Sequence, residues 1–255
     1  MVPMSELAAL DISGRSAVLT LHRPEQRNAL SLALVEALHA RVDELERLED
    51  VTVLTITGAG RAFSAGMDLK EVLIGASRDA WPGPRLLESL ARLTVRVRAL
   101  PMVVVAEVNG AAIGGGCGLV CVADIAITHS DAKIGYPEVD LGLCPAVVSP
   151  WVVRKIGAGA ARRVLLSGGV MSGSEAYAVG LVDHLVSTRD ELDSATGAIV
   201  ERLCSGGARA LRATKALLND LDGSVDEEVV VRGAALSAEV LGTDEAQAAL
   251  RARMS

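Results

Sequence analysis

Five glycines crowd into Asn109-Gly110-Ala111-Ala112-Ile113-Gly114-Gly115-Gly116-Cys117-Gly118, directly after the apolar, β-branched run 102–108. No regular helix or strand holds so many glycines cheaply, so the segment must bring backbone close to backbone or to a ligand. A buried strand, a glycine-rich turn and then a helix start is the arrangement it permits. The same order occurs earlier: strand 51–57 (VTVLTIT), the turn Gly58-Ala59-Gly60, then Phe63-Ser64-Ala65-Gly66-Met67-Asp68-Leu69. Helix N-termini leave amides unpaired and pointing outward, and two such amides aimed at one point make an oxyanion hole.

Other uses of a glycine run fit less well. A dinucleotide fingerprint needs Gly-x-Gly-x-x-Gly after a first strand and an acid at the end of a second, and neither is present. A phosphate loop of the Walker type needs Gly-Lys-Ser/Thr, and the segment has no lysine. On spacing alone, glycines that merely allow tight helix-on-sheet packing remain an open alternative.

Around these segments the chain alternates strand and helix. Residues 16–21 read as a strand. Ser31 caps a helix with apolar Leu32, Val35, Leu38, Val42, Leu45 and Leu48 at spacings of three and four. Residues 70–100 read as helical, interrupted by Trp81-Pro82-Gly83-Pro84. Residues 125–128 and 182–186 read as short strands. From about Glu191 the pattern is helical and Ala-rich, apart from the strand-like run 228–231, and Thr243 caps a last helix over 244–254. This order favours an α/β core over 1–190 and a helical region over 191–255.

Bulk properties narrow the partners. The formal net charge is −7, which argues against a nucleic-acid partner. No apolar stretch approaches the roughly 20 residues needed to cross a bilayer, and Met1-Val2-Pro3-Met4-Ser5-Glu6 lacks the basic and apolar regions of a signal peptide. A cytoplasmic protein without a membrane partner is expected. Cys117, Cys121, Cys144 and Cys204 match no zinc spacing and pair with none of the four histidines, so they read as small hydrophobes and no metal is expected.

The segment 134–145 carries two acids, Glu138 and Asp140, in a largely apolar loop rich in glycine and proline. A carboxyl in such surroundings has a raised pKa suited to proton transfer near neutrality. The plainer alternative is that each acid caps a turn or meets an arginine such as Arg154.

Taken together these segments resemble the crotonase family, the enoyl-CoA hydratase/isomerase superfamily. The resemblance runs through His22-Arg23-Pro24, Asn28-Ala29-Leu30, Ala65-Gly66-Met67-Asp68-Leu69-Lys70, Asn109-Gly110, Gly114-Gly115-Gly116 and Pro137-Glu138. It continues through Leu141-Gly142, Ser172-Gly173, Gly180-Leu181-Val182, Thr243-Asp244-Glu245 and Ala248-Ala249-Leu250. It implies a spiral of ββα turns with a helical C-terminal trimerisation region, assembled as a homotrimer or hexamer. It also implies an acyl-CoA thioester substrate, with coenzyme A entering only as part of that substrate and no further cofactor. By matching positions, the amides of Met67 and Gly115 would form the oxyanion hole, each worth about 3–4 kcal/mol in the transition state. Glu138 would move protons at C2. Coenzyme A would run along Ser64, Ala65 and Gly66, with Arg27 and Ala29 near the nucleotide and Asp68, Leu69 and Gly114 alongside. The loop at Trp81 would shape the acyl pocket.

One departure matters. Two-acid hydratases of the family carry a first glutamate where this chain has Gly118, leaving Glu138 alone. Asp140, Glu107 or neither would replace it. The run 142–150 is similar to that of bacterial methylglutaconyl-CoA hydratases, which favours a hydratase for a branched or carboxylated enoyl group. A single-glutamate Δ3-Δ2-enoyl-CoA isomerase is the runner-up, ahead of a decarboxylase or a non-catalytic acyl-CoA-binding member. A dienoyl isomerase is disfavoured, because the acid it needs eight residues after Glu138 is Ala146.

Overall fold

The computed structural model describes residues 7–73 and 81–254. The segment Met1–Glu6, part of the helical stretch read over 70–100, and Ser255 lie outside the described residues. Strands β1 (Ala8–Ser13) and β2 (Ser16–Leu21) form an antiparallel hairpin, and helix α1 (Leu32–Leu45) follows. Then a pattern repeats. β3 (Val53–Gly58) leads to β4 (Ala62–Ser64), α2 (Leu69–Val72) and α3 (Gly83–Ala99). β5 (Val103–Val108) leads to β6 (Ala111–Ile113) and α4 (Gly115–Val122). β7 (Ile125–His129) leads to β8 (Lys133–Gly135) and α5 (Ser149–Ser167). β9 (Val170–Ser172), α6 (Gly173–Val179) and β10 (His184–Val186) close this part. Helices α7 (Leu192–Cys204), α8 (Ala208–Asp222), α9 (Glu227–Leu241) and α10 (Asp244–Met254) complete the described chain.

The long strands make one sheet in the order β1-β2-β3-β5-β7-β10, and the short ones a second in the order β4-β6-β8-β9. From β2 onward the first sheet is parallel. Its inner strands are almost wholly buried, which is why 102–108 reads as a continuous apolar run rather than an alternating one. This is the ββα spiral.

The first two corners from long strand to short strand, at Gly58 and Gly110, are too tight for a side chain. A Cβ on Gly58 would stand 2.2 Å from the Ala62 carbonyl oxygen, and one on Gly110 would stand 2.1 Å from that of Arg61. Two asparagines tie the corners together. Asn28 Nδ2 donates to the carbonyls of Ala59 (2.9 Å) and Ala62 (2.7 Å), and Asn109 Nδ2 donates to that of Gly58 (2.6 Å). The first corner is thereby bonded to the chain before it and to the turn after it.

Ser31 caps α1 by accepting from the Leu34 amide at 3.2 Å. Pro82 and Pro84 interrupt the helical pattern as expected, but they do so by starting α3, where a missing N–H costs nothing. The strand-like run 228–231 lies in α9. Asp226 caps that helix, and Val230 and Ala234 face inward as α9 packs along α3. No helix among the described residues is long and apolar enough to cross a membrane.

The C-terminal helices are held by charge as well as packing. Lys215 of α8 is buried, donates to the Met102 carbonyl at 2.9 Å and meets Asp124 at 2.8 Å, while Asp124 also pairs with Arg98 at 3.1 Å. Asp124 keeps Arg98 when Lys215 is removed, so the loss is that of the lysine's own hydrogen bonds to Met102 and Asp124. Lys215→Ala is therefore expected to lower the free energy of urea unfolding by about 1–3 kcal/mol. An unchanged unfolding curve would assign the anchoring of α8 to apolar packing alone.

Candidate active site

Three turns of the spiral end at one place. After β4 the chain passes Leu30 as a short parallel bridge. The Leu30 amide donates to the Gly66 carbonyl (2.8 Å) and the Asp68 amide donates to the Leu30 carbonyl (3.0 Å). Backbone groups alternate sides along extended chain, so the Met67 amide points away from Leu30. After β6, Gly114 turns the chain with φ +53 and gives its amide to Gly135 (2.8 Å). Gly115 then opens α4 with no intrahelical acceptor for its N–H. The two turns abut, since a Cβ on Gly66 would stand 3.8 Å from the Gly115 nitrogen. Neither the Met67 nor the Gly115 amide donates to any group among the described residues.

The third turn brings the acid. Glu138 follows β8 and starts a short 3-10 turn, and its carbonyl accepts from Leu141 (3.0 Å) and Leu143 (2.9 Å). Its carboxyl lies against the Gly114 backbone, so close that a Cβ there would stand 2.6 Å from Oε1. Oε2 is buried and has no hydrogen-bond partner among the described residues. Burial raises the pKa of this carboxyl to about 7, the charge of Asp140 adds to the rise, and a bond from its own backbone amide opposes it. Met67, Gly115 and Glu138 line one pocket whose remaining wall is mostly apolar, including Leu87 and Leu90 of α3, Val148 and Leu241. The pocket is narrow, leaving about 20 Å3 for a water-sized sphere to move in.

Met67 also borders a larger open groove on the surface. Arg27, Ala29, Ala65, Asp68 and Leu69 line it. Arg27 and Lys70 in this groove form no ion pair among the described residues, whereas Asp68 is spent on Arg23 (3.0 Å) and on capping α2.

Several expected contributors lie elsewhere. Ser64 is sealed beneath the groove, with its hydroxyl donating to the Asn28 carbonyl at 2.9 Å and accepting from Gly66 at 3.3 Å. Gly66 is buried and contributes its turn, at φ +84, rather than a surface. Gly118 is buried under Val148 and does not line the pocket. Trp81 also stays out of the pocket: its indole donates to the Val72 carbonyl at 3.1 Å and its ring packs on Gly83. Glu107 on β5 accepts from the Thr57 hydroxyl at 3.1 Å and is not among the residues that line the pocket. Asp140 accepts from the Gly169 amide at 2.8 Å. An extended segment would have put Asp140 beside Glu138, but the 3-10 turn rotates alternate side chains apart. Arg154 meets neither acid; it donates to the Gly223 carbonyl (2.9 Å) and stacks on Trp151. Cys117 and Cys121 are buried as expected, while Cys144 is half-exposed and lines the pocket.

Sequence reasoning missed the pocket residues on α9. Ser237 donates to the Cys144 carbonyl (2.8 Å) and accepts from the Ala146 amide (3.1 Å), which fixes the loop that follows Glu138. The spacing Val230, Ala234, Ser237, Leu241 marks one helical face and was the available signal.

The description of the family model that matches this chain is enoyl-CoA hydratase/isomerase, over residues 11–252. A Thermus thermophilus protein carrying an enoyl-CoA hydratase name is 36% identical over 239 residues, 94% of each chain. The crotonyl-CoA hydratase of Syntrophomonas wolfei is 33% identical over 213 residues, 83% of this chain and 80% of its own. The crystal structure of an enoyl-CoA hydratase/isomerase from Marinobacter aquaeolei superposes with a TM-score of 0.78 at 32% identity, covering 98% of this chain and 97% of its own. That of an enoyl-CoA hydratase from Bacillus halodurans gives 0.88 at 24% identity over 96% and 99%, a likeness of fold.

The buried carboxyl makes stability depend on pH. Folding holds the proton of Glu138 more tightly than the unfolded chain does, raising its pKa from 4.5 to about 7. The resulting stability is fully present below about pH 4.5 and is lost as pH rises through about 7, a change of order 3 kcal/mol. Glu138→Gln should therefore flatten the pH dependence of urea unfolding between pH 4.5 and 8 and be the more stable protein at pH 8. Identical pH profiles for both proteins would show that the carboxyl is solvated.

Proposed function

This chain belongs to the enoyl-CoA hydratase/isomerase family, and from that premise we propose that it adds water across the C2=C3 bond of a 2-enoyl-CoA thioester. The supporting observation is a buried carboxyl with one oxygen unbonded, in the same pocket as two unspent amides. In this reading the thioester oxygen accepts from the Met67 and Gly115 amides, which stabilise the enolate better than the neutral ground state. Glu138 in its carboxylate form takes a proton from water as the water oxygen bonds C3. The π electrons pass to the enolate, and Glu138 returns the proton to C2. One carboxyl thus serves both halves of the addition.

The coenzyme A moiety would lie in the groove that adjoins the pocket at Met67, with Arg27 and Lys70 available to its phosphates. No lysine or arginine lines the inner pocket among the described residues, which favours an uncharged enoyl group over a carboxylated one. A Δ3-Δ2 isomerase is the second reading. It is favoured by the absence of any second carboxyl from the pocket lining among the described residues, since a proton shuttle between C2 and C4 needs only one. A homotrimer or hexamer is part of the proposal, supported by the exposed Leu217, Leu218 and Leu221 of α8.

Assays with crotonyl-CoA, a trans-3-enoyl-CoA and 3-methylglutaconyl-CoA discriminate between these reactions. Loss of the conjugated enoyl absorbance from crotonyl-CoA is expected, whereas a gain from the 3-enoyl thioester would move the assignment to isomerisation. Glu138→Gln should lower kcat by about 10²–10⁴-fold. Because the carboxylate acts first, kcat/KM should fall about tenfold per pH unit below about pH 7. Retained turnover in the variant would remove Glu138 from the mechanism.

A further inference from the structure

Gly118 and Val148 compete for one volume. A Cβ at position 118 would stand 2.4 Å from Val148 Cγ1, closer than carbon atoms approach, and 3.2 Å from Val148 Cβ, a tight contact. Val148 cannot easily yield. Its amide donates to the Pro145 carbonyl (3.2 Å), and its carbonyl accepts from Trp151 and Val152 (both 3.1 Å) at the start of α5. Its branched side chain is also stiff at χ1. The side chain that covers Gly118 lines the pocket as well, beside Leu87, Leu90 and Leu241. The pocket narrows here to about 20 Å3 of free space, so each methylene added to an acyl group presses further on these side chains.

We propose that Val148 is the specificity-determining residue of the acyl pocket: by standing over Gly118 it closes the cavity and restricts the enzyme to short acyl groups. It rests on the acyl-CoA reading of the site, and it makes Gly118 a spatial requirement of Val148 rather than only the loss of an acid. Trp81 does not line this pocket, and the rest of its loop, 74–80, lies outside the described residues.

The test is a series of C4, C6 and C8 2-enoyl-CoA thioesters. It is read by steady-state kinetics, and by calorimetric binding of the saturated acyl-CoAs of the same lengths. The wild-type protein is expected to prefer C4. Val148→Ala, which opens the space over Gly118, should raise the C8-to-C4 ratio of kcat/KM by at least about tenfold and shift binding the same way. An unchanged ratio in both readouts overturns the proposal. Failure of the function reading looks different, with no turnover of any thioester while the binding series still reports the effect of Val148.

A pair of further variants probes the shared volume without relying on activity. Gly118→Ala alone should lower the melting temperature, and adding Val148→Ala should recover it, because the new methyl enters vacated space. Losses that simply add would show that the two positions do not compete.

Discussion

Glu138 keeps an ionisable carboxyl inside an apolar pocket with one oxygen unbonded, an arrangement that disfavours the charged form and raises its pKa to about 7. Gly114 makes it sterically possible. At φ +53 this residue turns the chain from β6 into α4, exposes the Gly115 amide at the helix start, and leaves room for the carboxyl that lies against it. A side chain there would obstruct the turn and the acid at once. The remaining features of the site are arranged around this contact.

The spiral gathers groups that are far apart in sequence. β4, β6 and β8 are neighbours in the short sheet, and each hands the chain to the same end of the molecule. One turn brings the Met67 amide, the next the Gly115 amide and the third the Glu138 carboxyl. Two of the three groups are backbone, so their placement depends on corners that exclude side chains and on asparagines that tie those corners together, more than on any reactive side chain. A site built this way can retain its two inward amides while side chains around it change.

The pocket wall has different origins. Leu87 and Leu90 come from α3, Leu241 and Ser237 from α9, and Val148 from the start of α5. Ser237 bonds the backbone on either side of Pro145, and Gly233 lets α9 approach the same loop closely, since a Cβ there would stand 2.4 Å from the Ala146 carbonyl oxygen. Helix α9 therefore belongs to the pocket, and its side chains can change without disturbing the turns that hold the two amides and the carboxyl.

The chain's residues alone set the alternation of buried strands, glycine corners and helix starts, and the resemblance carried by their motifs implied the spiral and the three segments that meet at the site. Glycine runs and β-branched runs are legible because their local chemistry leaves few conformations open. The reading of the periphery held less well: Ser64 lies beneath the groove, Trp81 outside the pocket, and Glu107 and Asp140 in bonds of their own. Which side chains close the pocket followed from three-dimensional packing, because Val148 meets Gly118 and Ser237 meets Cys144 across distant elements. Spacing along the chain carries no record of which side chain fills a given volume.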